Sequence, residues 1–403
     1  MKQKQLVTAI SKWVGIGVIG IQMAHAGDLI TVDTISDQSQ PGFTTLREAV
    51  AIANSSTDTF IDFDESLFSE PQTIILEQGE LTLSTSTTII GPGADMLTID
   101  AENNSRVLRL DDEDNNTTQA VNINGITITN GNGQSPAEAR AGGCILSFEG
   151  LTLNDSVITG CRSPGRGGGI YSRFGSLSLN NTTISKNRGG NQGGGISIRQ
   201  NTVTITHSTI SDNEDLDGAG VYVSSGSNVD IINTTVSNNQ SLVNVSFGLF
   251  FKGGSHNIIN STVVHNSRSG IGVRNGAQVN ISNSILAENL QSDCDFSGLN
   301  EDSINHNNLD TDGSCDVFAT NHITVADAKL EPLNFYGGPT QTHRPQPDSP
   351  VVDAGDDLLC EATDQRGQIR PQDGDANGSA ACDIGAVELA EFEDVVFING
   401  FDI

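Results

Sequence analysis

A period of about 26 residues held through the middle of the chain restricts its fold more than any other feature. Asn187, Asn213, Asn239, Asn266 and Asn289 follow one another at intervals of 26, 26, 27 and 23 residues. Ile158, Ile184, Ile210, Val236, Val263 and Leu286 hold an apolar position in step with them. A fixed period in the twenties is the mark of a solenoid, in which each repeat buries its apolar face only against its neighbours. The alternations Leu177-Ser178-Leu179, Val203-Thr204-Ile205 and Val229-Asp230-Ile231 have the period of strands rather than helices. Gly and Asn at the joints supply the left-handed turn conformations that most residues resist. The expected architecture is all-β, a β-helix of roughly eight coils.

Two further files run in register. Asp155, Asn181, His207, Asn233, Asn260 and Asn283 form a polar file, and Ser156, Thr182, Ser208, Thr234, Ser261 and Ser284 a hydroxyl file. Stacked amides and hydroxyls bond from coil to coil, so both files read as structural, His207 included. Cys161 stands where the first regular coil would carry its ladder Asn.

The chain opens with Lys2, Lys4 and Lys12, an apolar run from Trp13 to Met23, and Ala24-His25-Ala26, the pattern of a secretory signal over residues 1–26. No later stretch is apolar enough to span a membrane. Beyond the signal, 17 cations face 50 acids, a net charge of −33, which argues against nucleic acid or an anionic membrane as a bulk partner. Six cysteines suit an exported, oxidising setting. They allow 15 connectivities. Sequential pairing, Cys144–Cys161, Cys294–Cys315 and Cys360–Cys382, closes short loops and is the expected one. No C-x-x-C spacing marks a zinc site.

The expected organisation is an N-terminal cap over 27–72 and coils over 73–292. A loop-rich connection over 293–345, a disulfide-tied module over 346–390 and an acidic, aromatic tail over 391–403 follow. Leu46 to Asn54 reads as a short amphipathic helix with Leu46, Val50 and Ala53 on one face. Thr45 and Glu48 form a capping box ahead of it.

These stretches resemble a known group of exported proteins. TLREAVAIAN resembles the motif of CSLREA-domain surface proteins, with Thr44 and Thr45 in place of its Cys and Ser. ELTLSTSTTIIGPGADMLTIDAENNSRVLRL resembles the strand pair that follows that motif. YGGPTQTHRPQPDSPVVDAG, DQRGQIRP and CDIGAVE resemble the choice-of-anchor Q module of exported bacterial β-helix proteins, and VFINGFDI resembles their short sorting tails. The resemblance implies a right-handed parallel β-helix, secreted or at the cell surface. It implies no reaction.

Counting from the glycine that opens each coil (Gly169, Gly195, Gly220, Gly248, Gly270), the residues one and three on are apolar in nearly every coil and are expected to point inward. The outward positions are then two and four on. Four on stand Arg173, Arg199, Ser224, Lys252 and Arg274; two on stand Tyr171, Ser197, Tyr222, Phe250 and Gly272. One outer strip of a very acidic chain thus carries four cations in five places beside three aromatics. Like charges stacked one strand apart repel, so the strip calls for something anionic.

The leading expectation is an extracellular anionic polysaccharide bound along Tyr171, Arg173, Arg199, Tyr222, Phe250, Lys252 and Arg274. The alternatives are a uronide lyase with Lys252 and Arg274 as catalytic candidates, and an adhesin or structural protein that recognises protein partners on a host or neighbouring cell. The motifs of pectate lyases and polygalacturonases are missing. Asp373, Asp375 and Asn377 match the first half of a calcium loop, but Ile384 stands where its bidentate Glu belongs. Asp310, Asp312 and Gly313 make a weaker match.

Overall fold

The computed structural model describes residues 27–114, 117–134, 140–242 and 246–390. The expected signal and the expected tail lie outside them. Each regular coil contributes one strand to each of three parallel sheets. In the coil of Gly169 these strands are Ile170–Arg173, Ser176–Asn180 and Thr183–Ser185. The three belong, in that order, to sheets of nine, twelve and eleven strands, giving a solenoid of about nine turns. That is one turn more than the sequence period reveals. The early coils are joined by longer loops, with Ile89 paired to Ile123 and Leu108 to Ile145, and these hide the repeat.

Both inward files are where the alternation puts them. Ile170, Ile196, Val221, Leu249 and Ile271 are fully buried, as are Ser172, Ile198, Val223, Phe251 and Val273. They belong to or abut one continuous apolar core that runs the length of the solenoid. The helix Leu46–Ala53 buries Leu46, Ala49, Val50 and Ala53 in the first part of that core. Its capping box is closed: Glu48 N donates to Thr45 Oγ1 at 3.1 Å and Thr45 N to Glu48 Oε2 at 3.0 Å.

The polar files explain the joints. Asp155, Asn181, His207, Asn233, Asn260 and Asn283 all sit at positive φ, between 43° and 50°, where the chain turns from the twelve-strand to the eleven-strand sheet. Asn and Asp tolerate that region better than most residues. In the hydroxyl file Ser156, Ser208, Thr234, Ser261 and Ser284 each accept from the backbone of the coil before, as in Thr182 N to Ser208 Oγ at 3.1 Å. The asparagine ladder begins at Cys161, whose N–H donates to Asn187 Oδ1 at 3.0 Å. It ends at Asp293, whose Oδ1 accepts from Asn289 N and Nδ2 at 3.1 and 3.0 Å.

All three sequential disulfides are formed, with Cα–Cα distances of 5.5, 5.1 and 6.3 Å. The C-terminal residues do not extend the solenoid. They fold back along the outer face of its eleven-strand sheet. The strands Val157–Thr159 and Thr183–Ser185 leave their outward residues half-buried, whereas Thr209–Ser211, Thr235–Ser237, Thr262–Val264 and Ile285–Ala287 are buried on both faces. A second apolar core of Val264, Ile285, Ala287, Leu309, Ala328, Val351 and Ile384 fills that contact.

Candidate functional site

With one flank covered and the twelve-strand sheet presenting mostly small polar side chains, the nine-strand sheet carries the distinctive chemistry. Its pairing stacks Tyr171 on Ser197 and Ser197 on Tyr222, then Tyr222 on Phe250. Arg173 lies in register with Arg199, and Lys252 with Arg274. Along this face runs an open groove of about 320 Å³. Its lining includes Tyr171, Ser197 and Tyr222 on the floor, Arg166 and Gln192 on one side, and Arg199, Ser224, Ser225 and Lys252 on the other.

Four of the seven residues expected at the strip meet in the groove: Tyr171, Arg199, Tyr222 and Lys252. The other three are placed differently. Arg173 lies over the Phe174 ring at 4.1 Å and donates to Gln200 Oε1 at 3.2 and 3.1 Å. Phe250 stacks on Phe247 with centroids 4.7 Å apart. Arg274 leaves the lining for Asp295, its two terminal nitrogens reaching the two carboxylate oxygens at 3.1 and 2.7 Å. The aromatics face outward from the solenoid core, yet Tyr171, Tyr222 and Phe250 are only 4 %, 3 % and 4 % exposed. Lys252 Nζ sits 5.6 Å from the Tyr222 centroid and 5.3 Å from that of Phe250, a cation–π arrangement that holds the ammonium over the rings. The rings are therefore a floor and a support for cations, not open stacking platforms.

Arg166 and Gln192 belong to a file that the strip did not include, three residues before the coil glycine, where the next coil has Asp217. Their backbones bridge in parallel. Arg166 Nε donates to Gln192 Oε1 at 2.8 Å, and Gln192 Nε2 to the Tyr222 hydroxyl at 3.0 Å. The signal was in the sequence, on the side of the glycine opposite to the strip. Among the described residues, Arg166, Arg199 and Lys252 form no ion pair. Asp217, half-buried, has its carboxyl pushed up to about 6 by burial, against the opposing pull of Lys252 and Arg274. The neighbouring Asp215 is fully buried and pushed up to about 7 by the same cause.

At the expected calcium loop, Asp353, Asp373 and Asp375 bring one carboxylate oxygen each within 4.8 Å of one another. This is an oxygen set suited to a hard cation. Asn377 does not join it as an oxygen donor; its Nδ2 donates to Asp375 Oδ2 at 2.8 Å. Asp373 accepts from Asn377 N and Gly378 N, an ordinary Asx-type turn.

Fold and groove together define a right-handed parallel β-helix protein with a cationic groove on one sheet. Residues 114–309 match the family described as a right handed beta helix region. Among solved structures, that of pectate lyase Pel9A is similar to this chain with a TM-score of 0.44 and 13% identity, over 90% of this chain and 98% of that one. No curated protein matches the chain. No helix among the described residues is long and apolar enough to cross a membrane.

Proposed function

We propose that the groove binds an extracellular anionic polysaccharide. The observation that carries this reading is three cations that form no ion pair among the described residues, Arg166, Arg199 and Lys252, converging on one groove of a chain whose net charge is −30. Holding like charges together costs free energy that a bound carboxylate or sulfate offsets. The groove crosses successive coils about 4.8 Å apart, a spacing similar to a pyranose repeat. Its polar lining of Ser197, Ser224, Ser225 and Gln192 offers hydrogen bonds to sugar hydroxyls. The disulfides, and the resemblance of both ends to exported surface β-helix proteins, support a place outside the cell.

A second reading, uronide lyase, draws on Asp217. A carboxyl held near 6 beside Lys252 is able to exchange protons close to neutral pH. In that reading Lys252 and Asp217 share the proton transfers and Arg199 neutralises the uronate. Arg274, already paired with Asp295, is the weaker candidate.

The test presents the purified protein, with and without calcium, to alginate, pectate and sulfated glycans, and records retention together with the ultraviolet absorbance of unsaturated uronides. Binding that weakens with salt, and that falls about tenfold or more in the Arg199→Ala, Lys252→Ala double variant, supports recognition. Rising absorbance makes the protein a lyase. Neither retention nor absorbance overturns both readings and leaves an adhesive or structural role.

A further inference from the structure

The last turn of the solenoid holds a cluster that the groove does not use. Asp310 ends the strand Leu309–Asp310, and His322 immediately precedes the strand Ile323–Thr324 that pairs with it. Between them Asp316 follows Cys315, which is tied to Cys294. His322 Nε2 lies 3.2 Å from Asp310 Oδ1 and 3.4 Å from Asp316 Oδ1. One ligand atom from each of the three falls within 4.8 Å of the others.

Two of these side chains are buried and incompletely satisfied. The Asp310 side chain is 0% exposed; its Oδ2 accepts from Cys315 N at 3.0 Å, while among the described residues its Oδ1 has no donor in line, the His322 ring lying 3.2 Å away but out of alignment. The His322 side chain is 7% exposed, and neither ring nitrogen is aligned for a hydrogen bond. A buried carboxylate oxygen without an aligned donor costs a sizeable part of a domain's net stability. A simple imidazolium–carboxylate pair would align its N–H along the short contact to relieve that cost, and this one does not.

We infer that Asp310, Asp316 and His322 bind a zinc-class divalent ion. Bond lengths of about 2.0–2.2 Å from zinc to imidazole nitrogen and carboxylate oxygen place tetrahedral ligand atoms about 3.4 Å apart. The two separations from His322 Nε2, 3.2 and 3.4 Å, match that edge. An imidazole ligand selects against calcium and magnesium, which take oxygen sets. Three protein ligands leave a fourth position for water. The Asp316 side chain is 62% exposed, so that position is open to solvent. The ion joins the loop between the final two strands of the eleven-strand sheet to both of those strands. It fastens the end of the solenoid, where no further coil covers it. This inference is independent of what the groove binds.

The experiment uses the full chain, freed of metal by chelation and dialysis, titrated calorimetrically with zinc chloride and separately with cobalt chloride. One zinc per chain is expected, together with the intense visible bands of tetrahedral cobalt and a zinc-dependent rise in melting temperature. Asp316→Asn, at an exposed position the fold does not depend on, weakens zinc binding by about tenfold or more. His322→Gln abolishes it, and Asp373→Asn leaves it unchanged. Excess calcium does not displace the ion. The inference is overturned if the wild-type chain takes up no zinc, if Asp316→Asn and His322→Gln bind it as the wild type does, or if calcium displaces it.

Discussion

At Asn213 one carboxamide serves four groups. Its Oδ1 accepts from Asn187 N and Nδ2 at 3.0 Å each, and its Nδ2 donates to Ile184 O at 2.9 Å and Asn239 Oδ1 at 3.0 Å. Only a side chain with both an acceptor and donors can pass such a ladder from coil to coil. Asp293 shows the converse. A carboxylate only accepts, and there the ladder stops, with Oδ1 taking Asn289 and Oδ2 taking Thr311 N and Oγ1 at 2.7 Å each. Replacing Asn213 by Ala leaves Asn187 N and Ile184 O buried without these partners. Each such loss costs about 1–3 kcal/mol. The variant is therefore expected to lose about 2–6 kcal/mol of stability in denaturant unfolding. Ser178→Ala, on an outward position of a neighbouring coil, is expected to stay within about 0.5 kcal/mol of wild type.

The element that most depends on distant partners is the returning C-terminal segment. Gln365 reaches across to Thr235 Oγ1 at 2.6 Å and Thr209 Oγ1 at 3.2 Å. Beneath it, Arg366 and Arg370 are held by Asp364 and Glu388, all four buried. Burial pushes the carboxyls of Asp383, to about 8, and of Glu388 upward beside these guanidinium groups. His343 fixes the same segment through a defined tautomer. Its Nδ1 lies 2.9 Å from Glu331 O and must donate, so its Nε2, 2.8 Å from Ser237 Oγ, accepts the hydroxyl proton. Burial depresses its pKa from 6.5 to about 4. Because the folded value lies below the unfolded one, this contribution is complete above about pH 6.5 and is lost as the pH falls through 4. The full difference amounts to about 3 kcal/mol. His256 is depressed in the same window, so the contrast with His343→Gln isolates the effect. Across pH 7 to 4 the wild type should lose stability more steeply than the variant. Parallel slopes in urea titrations would show that His343 does not carry the acid sensitivity.

On the scale of the whole molecule, what was legible was periodic. The inward files, the asparagine and hydroxyl ladders, the capping box at Thr45 and the three disulfides all follow from short-range or repeating signals. The groove was half legible: Arg199 and Lys252 lay in a repeating file, but Arg166 and Gln192 stood on the unread side of the coil glycine. Neither the burial of Tyr222 and Phe250 nor the pairing of Arg274 with Asp295 has a repeating signature. Least legible was the docking of the C-terminal segment, because contacts such as Gln365 to Thr209 and Asn233 Nδ2 to Thr363 O join residues far apart in sequence and recur nowhere. That docking divides the molecule into a coil stack, stabilised by nearest neighbours, and a cover on one of its three faces. A chain ending at Val325 is expected to keep the far-ultraviolet signature of the solenoid while exposing Val264, Ile285, Ala287 and Leu309, and so to bind a hydrophobic dye and associate. The groove lies on a different sheet, so whatever ligand the full chain retains should be retained equally by the soluble fraction of the shortened one. Loss of the solenoid signal itself would mean that cover and coils unfold as one unit, with the second apolar core contributing to the stability of every coil.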